Sequence, residues 1–276
     1  MDKTALGDRM KQYEAVSKNY LMRREPVIVR LDGKAFHSYT RGLDKPFDKA
    51  IEKAMKDTML YLCKNIQGCE LGYTQSDEIT LVLCDYQKID TDAWFEYNVQ
   101  KIVSVAASMA TFAFHASMEK IIIDLVNSEG LAASERISLL EKKLDNGAFF
   151  DARAFSLPRH EVVNCLIWRQ RDAIRNSIQA LAQSLFPHKE IQGIDCRRLQ
   201  SKIFTERGVN WIDLSTYQKR GACAIKKAEF KLCDGNGARV HILRHSWVID
   251  DDIPIFTEHK EYVNNRINFL ELGGVE

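Results

Sequence analysis

Two aspartates in this 276-residue chain stand where a divalent cation could be held against a phosphate. Asp32 ends the β-branched run Pro26-Val27-Ile28-Val29-Arg30-Leu31 and is followed by Gly33. Asp77 follows Ser76 between two segments of strand character, Cys69 to Gln75 and Glu78 to Cys84. If this hairpin pairs beside the first strand, both carboxylates emerge at one edge of a sheet. Two hard oxygen ligands with little else around them suit magnesium held partly by a nucleoside triphosphate. Such a pair can hold two ions, one activating the attacking oxygen and one steadying the leaving pyrophosphate. The turn Asp32-Gly33-Lys34-Ala35-Phe36-His37 offers successive backbone N–H groups around a glycine, a nest for phosphate oxygens. Lys34 and Lys45 add positive charge. Spacing alone is a weak sign, because Asp-Gly after a strand is usually only a turn.

The elements that must position these residues are legible in outline. Asp48 caps a helix whose stripe is Ile51, Met55, Thr58, Leu62 and Ile66, with Gly68 just past its end. Ser76-Asp77 is a hairpin tip without the glycine of the commonest two-residue turns. A long helix is predicted from Ala93 to about Met118, then a helical connector from about Val126 to Asn146. A strand follows over Gly147 to Phe155, and a helix from Glu161 to Phe186 that stops at Pro187. Gly221 to Val248 reads as a hairpin turning at Asp234-Gly235-Asn236-Gly237. The alternation predicts an α/β fold of α+β type, with a mixed, partly antiparallel sheet and packed helices. A boundary is expected at 145/146, between a catalytic domain (1–145) and a C-terminal α+β region (146–276).

Composition bounds the function classes. Apolar residues make up 45% and charged residues 28%, ordinary values for a globular chain. No apolar run is long enough to span a bilayer, and the charged N-terminus lacks the apolar core of a secretion signal, so no membrane partner and a cytoplasmic location are expected. Seven scattered cysteines without a CxxC pair argue against a disulfide framework or zinc ribbon. His241 and His245 would share a strand face, but no further ligands cluster near them. The net charge is only +1, yet Asp195 to Lys227 holds eight basic residues against three acids, a local +5. A basic tract on an otherwise acidic body fits a polyanion. On charge alone a solvated face explains it better.

Several spaced motifs in order are more specific than any one of them. Arg30-Leu31-Asp32-Gly33-Lys34-Ala35-Phe36-His37, Lys45-Pro46-Phe47-Asp48 and Gln75-Ser76-Asp77-Glu78 resemble the tRNA-histidine guanylyltransferase family, and within it the Thg1-like proteins. The likeness runs from about Tyr13 to Phe112. It resumes more weakly at Phe150-Asp151-Ala152-Arg153 and Trp168-Arg169-Gln170-Arg171-Asp172. It implies a palm-like catalytic domain similar to that of polymerases and cyclases, adding nucleotides to a tRNA 5′ end in the 3′–5′ direction. A nucleoside triphosphate, normally ATP, first activates a 5′-monophosphate. The 3′-hydroxyl of the incoming nucleotide, such as GTP, then displaces the activating group. Carried over residue by residue, the resemblance implies two Mg²⁺ ions on Asp32, the Gly33 carbonyl and Asp77. Nucleotide contacts fall on Asp32, Gly33, Lys34, Ala35, Phe36, His37, Lys45, Ser76, Asp77 and Lys101. Candidate tRNA contacts are Arg169, Arg175, Arg197, Arg198, Lys219 and Arg220. The family also implies a homotetramer.

The chain departs from the family pattern in two places. Members dedicated to tRNA-histidine carry His-Ile-Asn-Asn where this chain reads Ile174-Arg175-Asn176-Ser177. It also reads Lys34-Ala35 where members often have Arg-Asn. The expected activity is therefore template-dependent repair of truncated tRNA 5′ ends. The alternatives are a tRNA-histidine-specific guanylyltransferase, a noncatalytic tRNA-binding palm protein, and a nucleotide cyclase. The intact Asp32 and Asp77 argue against the noncatalytic reading, and a cyclase has no use for the basic tract.

Overall fold

The computed structural model of the chain describes residues 4–235 and 238–267. Ten helices of α type are seen among them: α1 (Ala5–Val16), α2 (Phe36–Tyr39), α3 (Lys49–Asn65), α4 (Val99–Glu129), α5 (Ser134–Asn146), α6 (Arg159–Leu185), α7 (His188–Ile191), α8 (Cys196–Arg207), α9 (Thr216–Arg220) and α10 (Glu261–Ile267). The strands are β1 (Val27–Gly33), β2 (Cys69–Gln75), β3 (Glu78–Leu83), β4 (Phe150–Ser156), β5 (Ala222–Gly235) and β6 (Ala238–Asp250). They form one six-stranded sheet in the order β4-β1-β3-β2-β5-β6. Every pairing is antiparallel, so the sheet is fully antiparallel rather than partly so.

The sheet draws strands from both sides of the expected boundary at 145/146. β4 pairs with β1 along its whole length, and β5 pairs with β2. Both strands lie beyond residue 145 and both complete the sheet. Backbone groups at the flanks of β1 and β2 need partners, and the later chain supplies them.

Alternation along the central strands makes two different faces. Val27, Val29, Leu31, Ile79, Leu81 and Leu83 point to one side, where α3 and α4 cover them with Met55, Met59, Leu62, Ala106, Ala110 and Phe114. Ile28, Leu71, Tyr73, Val82 and Cys84 point to the other and meet Val162, Leu166 and Ile167 of α6 and Val263 and Ile267 of α10. A third, smaller core joins the C-terminal half of α6 to α7 and α8 through Ile178, Leu181, Ala182, Phe186, Ile191, Leu199 and Ile203.

Local signals explain most boundaries. Asp48 caps α3, its Oδ1 accepting from the Ala50 N–H at 2.9 Å. The long helix starts at Val99 rather than Ala93, because Phe95, Glu96 and Tyr97 take left-handed φ angles and Asn98 supplies the cap. It then runs to Glu129, past the expected end. β4 begins at Phe150, since Gly147, at φ +68°, closes α5. In the β5–β6 hairpin, Gly235 pairs with Ala238, while Asn236 and Gly237 of the expected turn lie outside the described residues, as does the side chain of His241. None of α1 is buried; Leu6, Met10, Tyr13 and Val16 are exposed. No helix among the described residues is long and apolar enough to cross a membrane.

Candidate active site

The end of β1, the β2–β3 hairpin tip and the start of β4 meet at one end of the sheet. Ser76 takes φ +50°, the left-handed value that a two-residue hairpin turn asks of its first residue. The tip is tied to β1 by the Gly33 N–H, which donates to the Asp77 carbonyl at 3.0 Å. Asp32 is the cross-strand partner of Glu78 on one side and Asp151 on the other. Asp32 and Asp77 therefore arrive together, as their motifs require.

Asp77 is only partly exposed, and burial pushes its carboxyl above the ordinary range. The Ser76 hydroxyl, donating to Asp77 Oδ1 at 3.0 Å, pulls it back, and the nearby Asp32 pushes it up further. Neither aspartate has an ion-pair partner among the described residues. No group of three or more His, Cys, Asp or Glu converges on a metal position among them. Two unpaired carboxylates at a sheet edge fit a cation whose remaining ligands are substrate oxygens.

The phosphate turn differs from its sequence reading. Gly33 has ordinary φ; its missing Cβ makes room for the Phe36 ring, which folds back against it. The left-handed residue is Ala35, at φ +54°. The Gly33 and Lys34 N–H groups are already used, the latter donating to the Phe149 carbonyl at 2.8 Å. The Ala35, Phe36 and His37 N–H groups open α2, where no helix supplies intrahelical acceptors. The Phe36 side chain packs inward on Tyr39, Phe114 and Phe150, with ring centroids 5.2 to 5.6 Å away, and so anchors the turn.

Beside this turn lies a cleft of about 360 Å³, within the size range of small-molecule sites. One wall is His37 with the segment from Asp44 to Asp48, a second is Gln75-Ser76-Asp77, and a third comes from α6 and α9 through Asn176, Ser177, Tyr217 and Arg220. Asp48 pins the first wall: its Oδ2 accepts from the Asp44 N–H at 3.1 Å and from Arg136 at 2.6 Å. Lys45 and His37 are exposed on the cleft rim. Glu52 lies deeper, where burial raises its carboxyl and the Gln218 amide, donating at 2.9 Å, opposes that shift.

Lys101 is not brought to this site. It opens α4, whose first turn packs beside Tyr20 and Leu21 at the opposite end of the sheet. Phe114, which does touch Phe36, lies more than three turns along the same helix, roughly 20 Å away. A motif match reads position along the chain, and a helix of this length carries its two ends to different sites.

Glu78 and Arg169 make a contact that neither motif announced. Both are buried, and Arg169 Nε donates to Glu78 Oε1 at 2.6 Å. Burial raises the Glu78 carboxyl and Arg169 draws it back down. A second Arg169 nitrogen reaches Asp172 at 3.0 Å, and Asp172 also holds Arg175. Arg169 is therefore an internal counter-ion, not a surface phosphate contact. The other expected RNA contacts divide. Arg197 and Arg198 are exposed at the start of α8, with Asp195 3.4 Å from Arg198. Lys219 donates to the Ile212 carbonyl at 2.6 Å and Arg220 to the Ile253 carbonyl at 2.9 Å, so both are partly occupied by the fold.

Residues 7–158 match the family model described as Thg1, tRNAHis guanylyltransferase. A bacterial tRNA(His) guanylyltransferase (Thg1)-like protein in complex with ATP superposes with a TM-score of 0.80 at 42% identity, covering 96% of this chain and 100% of that one. A bacterial Thg1-like protein in complex with GTP gives a TM-score of 0.74 at 38% identity over the same shares. An uncharacterized protein of Acanthamoeba polyphaga mimivirus is 29% identical over 280 residues, covering 96% of this chain and 88% of its own length.

Proposed function

This chain belongs to the tRNAHis guanylyltransferase family, and from that premise we propose that it repairs truncated tRNA 5′ ends by template-dependent 3′–5′ nucleotide addition. The observation that carries the reading is the convergence of Asp32 and Asp77 beside a cleft large enough for a nucleotide. ATP activates the 5′-monophosphate of the tRNA, releasing pyrophosphate. The 3′-hydroxyl of an incoming nucleoside triphosphate then attacks the activated phosphate and displaces AMP.

Asp32, Asp77 and the Gly33 carbonyl would hold two Mg²⁺ ions, which when bound polarise the reacting phosphate and offset charge on the leaving group. The chain's own residues do the positioning. Backbone N–H groups from Ala35 to His37 face triphosphate oxygens, with Lys34, Lys45 and Ser76 beside them. Phe36 holds that turn rigid from inside the core. Arg197 and Arg198 contact RNA phosphates.

Support for repair over strict tRNA-histidine specificity comes from α6. Ile174, where dedicated members carry histidine, packs against the small helical core. Arg175 is engaged by Asp172. Ile174 has no hydrogen-bonding group with which to read an anticodon, whereas pairing with the opposite acceptor strand needs none. Labour is then divided by surface rather than at residue 145. The sheet end carries the chemistry, and the α6–α8 unit faces the RNA. We further propose that the chain is cytoplasmic and assembles as a homotetramer, for which exposed apolar side chains on α1, with Phe112, Ile123 and Val126 on α4, offer contact surface.

The test offers tRNAs lacking the 5′ nucleotide, with different anticodons and each base opposite the gap, and sequences the products. Watson–Crick addition across several anticodons is expected. Guanine added whatever the opposing base, or strong preference for a histidine anticodon, would return the chain to the tRNA-histidine reading.

A further inference from the structure

The catalytic sheet face continues past Asp32 toward β4, away from the nucleotide cleft, and carries charges the cleft does not use. Arg30 and Arg153 are direct cross-strand partners on β1 and β4. Residues so placed share a face with Cβ atoms about 5 Å apart, and like charges there repel. Neither cation is neutralised by a buried carboxylate. Among the described residues Arg153 meets only Asp151, at 3.7 Å, with both side chains more than half exposed. Arg30 has no ion pair among the described residues. Glu78, a buried carboxylate that feels its charge, is bonded to Arg169.

Over Arg30 stands Trp168 of α6. The Arg30 guanidinium carbon is 5.4 Å from its ring centroid, and that of Arg169 is 4.5 Å away. The ring is nevertheless 53% exposed, in a helix turn whose neighbours Leu166 and Ile167 are buried. A tryptophan held by two arginines and still half open to solvent leaves part of its ring to an incoming base. Asp32 lies two residues from Arg30 on the same strand face, about 7 Å away. On α6, Trp168 lies roughly 12 Å along the axis from Asn176 in the cleft wall. The aspartates thus have the nucleotide cleft on one side and a cationic, aromatic patch on the other.

We propose that Arg30, Arg153 and Trp168 seat the 5′ end of the acceptor RNA, the guanidinium groups taking its terminal phosphate and Trp168 stacking its terminal base. This rests on the tRNA-extending reading above. Two guanidinium groups a strand apart, one without an ion pair and the other facing only an exposed carboxylate, match a phosphate of charge near −2, and base–aromatic stacking tolerates any base, as repair of different tRNAs requires. The pair places two cations on the strand face of Asp32 while leaving the cleft free for a triphosphate.

The experiment measures equilibrium binding of one truncated tRNA carrying either a 5′-monophosphate or a 5′-hydroxyl, together with the KM values for tRNA and for GTP. The wild-type protein is expected to bind the phosphorylated form several-fold more tightly. Arg153→Ala, at an exposed position where folding is safe, should erase that preference and raise the KM for tRNA while leaving the KM for GTP alone. Trp168→Ala should weaken both RNA forms by roughly tenfold, and Trp168→Phe should recover most of that loss. A purely structural cation–aromatic stack would instead lower the melting temperature without changing the phosphate preference. Wild-type protein indifferent to the 5′-phosphate, or Arg153→Ala and Trp168→Ala proteins with unchanged tRNA KM, would overturn the proposal. Nucleotide addition to no tRNA at all would instead strike the function itself, and the binding comparison would still decide where the 5′ end sits.

Discussion

The two faces of β1 and β3 come from the same thirteen residues and do opposite things. On one face Val27, Val29, Leu31, Ile79, Leu81 and Leu83 are fully buried against α3 and α4. On the other, the apolar Ile28 and Val82 give way toward the catalytic end to Arg30, Thr80, Asp32 and Glu78. Period-two alternation lets one strand serve a core and a charged site at once. The apolar face needs only shape and volume. The charged face needs each group matched to a partner, and where the chain supplies none, a cation or a phosphate has to.

Breaking the charged face at its centre should have the largest effect on activity and little on stability. Asp32→Ala and Asp77→Ala are each expected to slow single-turnover addition by a thousandfold or more, on the order of the loss of a key electrostatic group. Their melting temperatures in metal-free buffer should not fall. Burial raises the folded-state value of Asp77 above its ordinary 3.8. Its stabilising contribution is thus present below that value and is lost as the pH rises through the raised one, so the ionised carboxylate adds nothing to stability. A clear drop in melting temperature for Asp77→Ala would show that the carboxylate is part of the scaffold.

Arg169→Met should strike both properties, because it strands the buried Glu78 carboxylate beside the site. A cost of about 3–5 kcal/mol is expected from breaking such a pair, read by urea denaturation. Adding Glu78→Gln should restore much of it. If the double variant is no more stable than Arg169→Met, the 2.6 Å bond is not what holds the hairpin to α6.

Leu81→Ala tests the other face. It empties a fully buried position and should cost about 2–5 kcal/mol, while the rate per folded molecule stays near the wild type. Loss of rate in protein shown to be folded would mean that the apolar face transmits strain to Asp32 and Asp77.

Smaller effects lie away from the strands. Arg197→Ala with Arg198→Ala should flatten the salt dependence of tRNA binding by about two in slope if each meets one phosphate. An unchanged slope would leave α8 as a solvated face. Smallest is Ala35→Gly, which relieves a left-handed alanine and should raise stability by about 1 kcal/mol, seen as a modest rise in melting temperature.

Sequence by itself determined what depends on neighbours in the chain. β1, the Ser76-Asp77 hairpin, the Asp48 cap and the stripe of α3 were all legible, because period and capping act over a few residues. So was the placement of Asp32 near the end of β1 and of Asp77 just before β3. Tertiary structure decided what depends on distant partners. The sheet recruits β4 and β5 from beyond residue 145, and the cleft takes a wall from α6 and α9. Arg169 turns inward to a glutamate 91 residues earlier, while Arg30 falls opposite another arginine, Arg153, rather than a carboxylate. Lys101, close to the hairpin in sequence, is carried to the far end of the sheet by a rigid helix. A side chain's charge is written in the chain, but its counter-charge is set by which strands pair and which helix lies across them, and no local pattern of residues encodes that choice.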